Sequence, residues 1–346
     1  MEPKGTEDDP EGPGDRMLET RAPGRLIPGG GRSRDPDELL ASARSGDRGA
    51  TGRLLSYLER GGERARQVGR LTFAAGSRPE QVVGVTGAPG AGKSTLTDRL
   101  IGAARAEGRR VGVLAVDPTS PFSGGAILGD RIRMQSHALE EDVFIRSMAT
   151  RGHQGGLALA APESIRVLVA SGLSFVLVET VGVGQVEVEI AGEADTTLVV
   201  VNPGWGDAIQ ASKAGLLEVA DIFVVNKADR PGAAETERDL QGMLDLNTSM
   251  GAWRPPVLLT TGPTGDGVDR LWSAVARHRE YLDASGELVR RRQRRLVGEL
   301  ERVLTWRLEQ DVKAMRGGSL FKQVVTDVLE GRIDPHEGAE RLVPPG

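Results

Sequence analysis

The chain has 346 residues, no cysteine, four histidines and a formal net charge of −5. These numbers exclude disulfides, thiolate metal sites and thiol chemistry, and they leave no basic footprint for nucleic acid or a membrane surface. A hydrophobic content of 38% with 27% charged residues fits a soluble globular protein, one α/β core with smaller helical additions at both ends.

No apolar run approaches the length of a membrane span. Residues 1–35 carry Glu2, Glu7, Asp8, Asp9 and Glu11 among many Gly and Pro. That composition lacks the apolar core of a secretory signal and is too acidic for a transit peptide, so it predicts a disordered tail and a cytoplasmic protein. Met17 offers an alternative start.

Residues 36–76 read as a small helical unit. Asp35 caps a first helix with Pro36 in its opening turn and acids beside the dipole. Asp47 caps a second helix carrying Leu54, Leu55 and Leu58, which Gly61-Gly62 ends. A third runs through Ala65, Val68 and Leu71. The unit carries no chemistry of its own, and packing against the core is the expected role.

From 77 to 284 short β-branched runs alternate with helical ones, the pattern of a parallel sheet with crossover helices. Strands are predicted at 81–86, 111–116, 143–146, 174–179, 196–202, 221–226 and 256–260. Ligands of such sheets gather at the carboxyl ends of the strands.

The first strand runs into Gly87-Ala88-Pro89-Gly90-Ala91-Gly92-Lys93-Ser94, followed by Thr95 and a helical run with Leu96, Leu100, Ile101 and Ala104. Every fixed position of the phosphate-loop pattern G-x-x-x-x-G-K-[ST] is met, between the strand and the helix that the pattern requires. Glycines let consecutive N–H groups curl toward phosphate oxygens, and the helix N-terminus adds partial positive charge. Lys93 is placed to reach the β- and γ-phosphates and Ser94 to ligate Mg²⁺. A nucleoside triphosphate or its hydrolysis product is the implied ligand.

The loop after the second strand runs from Asp117 to Arg131 and is rich in Gly, Ser and Pro. Asp117 and Asp130 are candidate Mg²⁺ ligands; the alternative readings are a turn started by Asp117 with Pro118 and a helix capped by Asp130. Strand 174–179 ends in Glu179, where a metal-side carboxylate belongs, followed by Thr180-Val-Gly182-Val-Gly-Gln185. Gly182 can offer its N–H to a γ-phosphate, and Gln185 is either a water-orienting residue or a solvated loop amide.

Strand 221–226 ends in Asn226-Lys227-Ala228-Asp229. An aspartate there accepts from both the N1–H and the 2-amino group of guanine, whereas adenine lacks the amino donor and presents an acceptor at N1. With Lys227 along the base plane, the segment predicts GTP in preference to ATP. Thr261-Gly262-Pro263 follows the last strand, where a backbone loop meeting guanine O6 would lie.

With these motifs assembled, the chain resembles the MeaB/ArgK family of P-loop GTPases, chaperones of adenosylcobalamin-dependent acyl-CoA mutases such as methylmalonyl-CoA mutase. The stretches that carry the resemblance are Gly87–Thr95, Ala115–Arg133, Val178–Gln185 and Asn226–Asp229, and the likeness spans roughly Leu39 to His278. It implies Lys93 and Ser94 on phosphate and Mg²⁺, with Asp117, Asp130 and Glu179 around the metal and Asn226, Lys227 and Asp229 on the base. Pro203 to Lys213 resembles the family's additional switch that contacts the mutase, although Ala208 stands where the family commonly has an acid. Thr261-Gly262 likewise departs from the usual Ser-Ala.

Residues 285–346 form a C-terminal helical region. Leu288, Val289, Leu296, Val297, Leu300, Val303, Leu304 and Leu308 make one apolar stripe on a long helix. The stripe needs the core or a second copy of the chain as partner, and the resemblance favours a homodimer. The Arg290–Arg295 cluster at its start reads as a solvated face. Residues 318–343 predict two further short helices.

The expected function is a Mg²⁺-dependent GTPase whose GTP/GDP cycle gates cofactor loading or protection of a B12-dependent mutase. The competing readings are a nickel-insertion GTPase, which usually brings Cys or His clusters absent here, and a kinase linked to basic amino-acid transport, which would need ATP.

Overall fold

The computed structural model describes residues 34–118, 136–137, 139–150, 156–180, 192–204, 219–246 and 251–343, without the side chains of 117, 118, 149, 150 and 156–159. The predicted tail lies almost wholly outside the described residues. From Asp35 onward the elements belong to one compact unit.

Three helices lead: α1 (Pro36–Arg44), α2 (Arg48–Arg60) and α3 (Glu63–Ala74). The first two start on the aspartate caps that the sequence predicts. Asp35 Oδ1 accepts from the Asp37 N–H at 2.8 Å, and Asp47 Oδ1 accepts from Gly49 and Ala50 at 2.7 and 3.0 Å. Each cap satisfies amide donors that have no partner within the helix.

The core is a parallel sheet of seven strands among the described residues: β1 (Gln81–Gly87), β2 (Val111–Pro118), β3 (Val143–Thr150), β4 (Phe175–Thr180), β5 (Thr196–Val201), β6 (Ile222–Asn226) and β7 (Val257–Thr260). Their order is β3-β2-β4-β1-β5-β6-β7. Each predicted strand is present, and β3 runs four residues beyond its predicted end. β1, β4, β5 and β6 are buried along their whole length, which is why they read as unbroken apolar runs rather than alternating ones.

Helices cover both faces. α4 (Lys93–Ala106) and α7 (Val268–Ala284) pack Leu96, Leu100, Leu271 and Val275 on one; α5 (Gly156–Ala170) and the N-terminal helices pack Val167, Leu168, Leu54 and Leu55 on the other. α6 (Ala233–Leu246) adds Leu240 and Leu244 beside β6. The chain ends in α8 (Glu287–Met315), α9 (Ser319–Leu329) and α10 (Pro335–Leu342), one long helix and the two short ones expected.

One expectation is overturned in part. Of the arginines at the start of α8, Arg290 and Arg294 do lie on an exposed face, while Arg291, Arg292 and Arg295 turn inward. Arg291 holds Asp221 through two bonds of 2.9 Å. Arg292 and Arg295 converge on Asp195 at 2.7 and 2.5 Å. Asp195 also accepts from the Val82 N–H, and Asp221 from the Thr197 N–H. Both acids sit just before β5 and β6, so α8 is bolted to the amino-terminal edge of the sheet. Burial pushes the Asp195 carboxyl up, and the Arg292 and Arg295 guanidinium groups outweigh it and hold the acid below the usual range. The apolar stripe is a different matter: Leu300 and Leu304 are 68% and 54% exposed.

A second polar contact fixes the middle of α8. Arg166 of α5 donates to both carboxylate oxygens of Glu299 at 2.8 and 2.5 Å. Beside it Glu163 lies so close to α3 that a Cβ on Gly69 would come within 2.6 Å of its Oε1. Burial lifts the Glu163 carboxyl to about 7; Arg166 opposes the rise and Glu299 reinforces it. Between its ordinary value near 4.5 and about 7 the folded chain keeps a proton that the unfolded chain releases, so this group's contribution to stability falls as pH rises through that window. Glu163→Gln should therefore gain stability over the wild type by about 1–3 kcal/mol on going from pH 4.5 to pH 8 in denaturant titrations. An equal difference at both pH values would contradict this assignment.

Candidate functional site

The cradle forms where β1 meets α4. Gly87 has φ +139° and faces β5 so closely that a Cβ would lie 2.0 Å from the Val200 carbonyl oxygen. Gly92, at φ +91°, starts α4 in the left-handed region, and a Cβ there would stand 2.3 Å from Asn226 Nδ2. Larger residues are excluded at both positions by backbone conformation and by space.

Lys93 is buried and folds back over its own loop. Its ammonium donates to the carbonyls of Gly87 at 2.6 Å and Ala88 at 3.0 Å. Ser94, in the first turn of α4, donates from Oγ to Glu179 Oε1 at 2.5 Å, with both residues buried. The register explains the meeting: β4 lies beside β1 with Glu179 opposite Val85, two residues before the loop. One step further along, Thr180 Oγ1 donates to Thr86 Oγ1 at 3.0 Å.

Of the four residues expected around a metal, Ser94 and Glu179 are thus brought together. Asp117 lies near the end of β2, one residue past the Val116–Thr180 register pair, and its side chain is outside the described residues. Asp130, Gly182 and Gln185 lie outside the described residues, as does most of the segment from Pro203 to Lys213. The hard oxygen donors of Ser94 and Glu179 at the head of a phosphate-type loop suit a cation such as Mg²⁺. Among the described residues, no three acidic or histidine side chains gather into a metal-binding group.

The second half of the site begins at the end of β6. Asn226 is 1% exposed, and both ends of its amide are bonded. Nδ2 donates to the Ala91 carbonyl of the cradle at 2.7 Å, while Oδ1 accepts from Thr260 Oγ1 and from the Gly262 N–H, both at 3.1 Å. Lys227 is the one non-glycine residue at positive φ (+59°) among the described residues, and its Nζ donates to the Gly90 carbonyl at 2.6 Å. A backbone held there costs on the order of 1 kcal/mol, so the site over-determines it. Ala228 N–H donates to the Thr260 carbonyl at 3.0 Å, and Asp229 follows, exposed to solvent.

The Thr261-Gly262-Pro263 turn closes the ring. Thr261 and Asp266 form an antiparallel bridge, with the Thr261 N–H donating to the Asp266 carbonyl at 2.9 Å. α4 presses on the turn, since a Cβ at Gly262 would lie 3.0 Å from Thr95 Cγ2. Arg99, four residues along α4, donates from Nε to the Gly262 carbonyl at 3.0 Å and from Nη2 to the Pro263 carbonyl. Neither Arg99 nor the Thr86–Thr180 pair is singled out by the sequence. An arginine on a helix has no local signature when its partners are carbonyls more than 160 residues away.

The phosphate loop and the strand-end Asn-Lys-Ala-Asp are therefore parts of one hydrogen-bonded site. A family model described as "Methylmalonyl Co-A mutase-associated GTPase MeaB" matches residues 52–316. The chain belongs to the MeaB family of P-loop GTPases. A relative from Pyrococcus abyssi is 47% identical over 310 residues, covering 89% of this chain and 95% of the relative. GTPase ArgK of Escherichia coli is 36% identical over 265 residues, covering 75% and 80%. Among solved structures, one described as a LAO/AO transport system kinase matches with a TM-score of 0.65 and 26% identity, over 89% of this chain and 96% of that one. The family match spans the cradle, the base-side motif and α8.

In this arrangement, Asn226→Ala removes a donor to the cradle and an acceptor from the turn at once. It should weaken guanine-nucleotide binding by about 100-fold or more, as expected for two lost buried hydrogen bonds that leave partners unsatisfied. Equilibrium titration with a fluorescent GDP derivative checks this, and binding within a factor of about three of wild type would contradict the linkage.

Proposed function

We propose that this MeaB-family GTPase couples its nucleotide state to an adenosylcobalamin-dependent acyl-CoA mutase of the methylmalonyl-CoA type, gating the loading or protection of the mutase's cobalamin. The observation that carries the reading is the Asn226 link between cradle and base-side turn, within a chain that the mutase-associated family matches over residues 52–316.

GTP would lie with its phosphates in the Gly87–Thr95 loop and its base between Asn226, Lys227, Asp229 and the Thr261–Pro263 turn. Asp229 would accept from N1–H and the 2-amino group. The Gly262 N–H, held by Asn226 Oδ1, is the donor that guanine O6 would share. Hydrolysis is in-line attack of water on the γ-phosphorus: a new P–O bond forms, the bond to the β–γ bridging oxygen breaks, and GDP and phosphate leave.

Lys93 exchanges the Gly87 and Ala88 carbonyls for phosphate oxygens and stabilises the charge that develops there. Gly182 and Gln185 would serve the γ-phosphate and the attacking water. Ser94 and Glu179, with Asp117 and Asp130, would hold Mg²⁺, which supplies charge neutralisation of the triphosphate. Loss of the γ-phosphate would release the segments it orders, and this change is the output read by the mutase.

The exposed stripe on α8 is assigned to a homodimer, and the protein to the cytoplasm. No helix among the described residues is long and apolar enough to cross a membrane. The nickel-insertion reading gains nothing from the described site, and a transport-linked kinase would need an ATP site that the guanine-reading motif disfavours.

Co-purification tests the partner. Methylmalonyl-CoA mutase should be retained by the immobilised full chain, to an extent that differs between GDP and a non-hydrolysable GTP analogue, and should accelerate GTP turnover. Absence of retention with either nucleotide, across the acyl-CoA mutases tested, would overturn the assignment.

A further inference from the structure

We infer that Arg99 is a positioning residue for base recognition: from α4 it fixes the Thr261–Pro263 turn at the place where that turn can select guanine by its O6. The inference rests on the proposed base site.

Three observations carry it. Gly262 is gripped through both of its backbone groups, its N–H by Asn226 Oδ1 at 3.1 Å and its carbonyl by Arg99 Nε at 3.0 Å. The same guanidinium bonds the Pro263 carbonyl, so two successive peptide groups of the turn are locked by one planar donor. Arg99 also belongs to the helix whose first residues, Lys93 and Ser94, form the phosphate loop. The turn's position is thereby referenced to the phosphate cradle.

The other ties on the turn restrain a different end of it. Thr261 N–H and the Asp266 carbonyl close its base, and Thr264 Oγ1 donates to Asp266 Oδ2 at 2.7 Å. Proline has no N–H, so the Gly262–Pro263 peptide can bond only through the Gly262 carbonyl, which Arg99 takes together with the Pro263 carbonyl. Without Arg99 both carbonyls lose this donor, and Gly262 keeps only the hold of Asn226 on its N–H. A donor that drifts by about 1 Å loses most of a directional hydrogen bond.

The test compares GTP, ITP and ATP binding to wild type, Arg99→Ala and Arg99→Lys by calorimetry on the full chain. ITP keeps O6 and N1–H and lacks the 2-amino group, so it reports the turn without that half of the Asp229 contact. The inference predicts that Arg99→Ala weakens GTP and ITP equally, by about tenfold, while ATP changes by less than about twofold. Arg99→Lys, which keeps one charged donor, should fall between wild type and Arg99→Ala for GTP. A uniform loss across the three nucleotides, or no loss for any, would overturn it, and Arg99→Lys alone decides the matter through its GTP-to-ATP ratio should the alanine variant not fold. Wild type that binds ATP as tightly as GTP would instead sink the base site on which the inference stands, whereas discrimination intact in wild type and in both variants sinks only the role of Arg99.

Discussion

The side-chain amide of Asn226 is the tie on which the site depends. It stands at the end of β6, two strands from β1, and reaches back to Ala91 in the cradle while holding Thr260 and Gly262 ahead of it. Because it is buried, each of its bonds replaces one that water would otherwise make, and none can be given up cheaply. Phosphate cradle and base-side turn come from loops more than 160 residues apart, and this amide gives them a common origin. The strained backbone at Lys227 is the local consequence, since its ammonium must reach Gly90 from the same strand end.

The parallel sheet supplies the rest of the geometry. Adjacent β1 and β4 bring Ser94 to Glu179, and β5 and β6 beside them bring Asn226 to the cradle. All of this happens at the carboxyl edge. The amino edge carries the opposite inventory: buried Asp195 and Asp221, which Arg291, Arg292 and Arg295 of α8 neutralise. The chain thus keeps nucleotide chemistry at one edge of the sheet and the anchor of its long C-terminal helix at the other. Further along α8, Arg302 adds a bond to Glu193, which also lies just before β5.

What the sequence made legible follows from the range of each signal. Strands buried on both faces show as apolar runs, helix starts show as Asp caps, and the phosphate loop and Asn-Lys-Ala-Asp show because their residue order is the chemistry. Long-range electrostatic pairing does not show. Arg291, Arg292 and Arg295 look like part of a solvated cluster because their acids lie 70 to 100 residues upstream. Arg99 is hidden for the same reason, and Asn226 reads as a base-side residue while its structural role as the tie becomes visible only when the strands are ordered. Asp130, Gly182 and Gln185 belong to stretches outside the described residues.

We propose one site that reads both the phosphates and the guanine base. Calorimetric titration of the full chain with GTP and with ATP, in wild type and in Lys93→Ala, is its sharpest test. Wild type should bind GTP at least about 100-fold tighter than ATP, and Lys93→Ala should lose nearly all GTP binding. Equal affinity for the two nucleotides, or GTP retention untouched by Lys93→Ala, would contradict it.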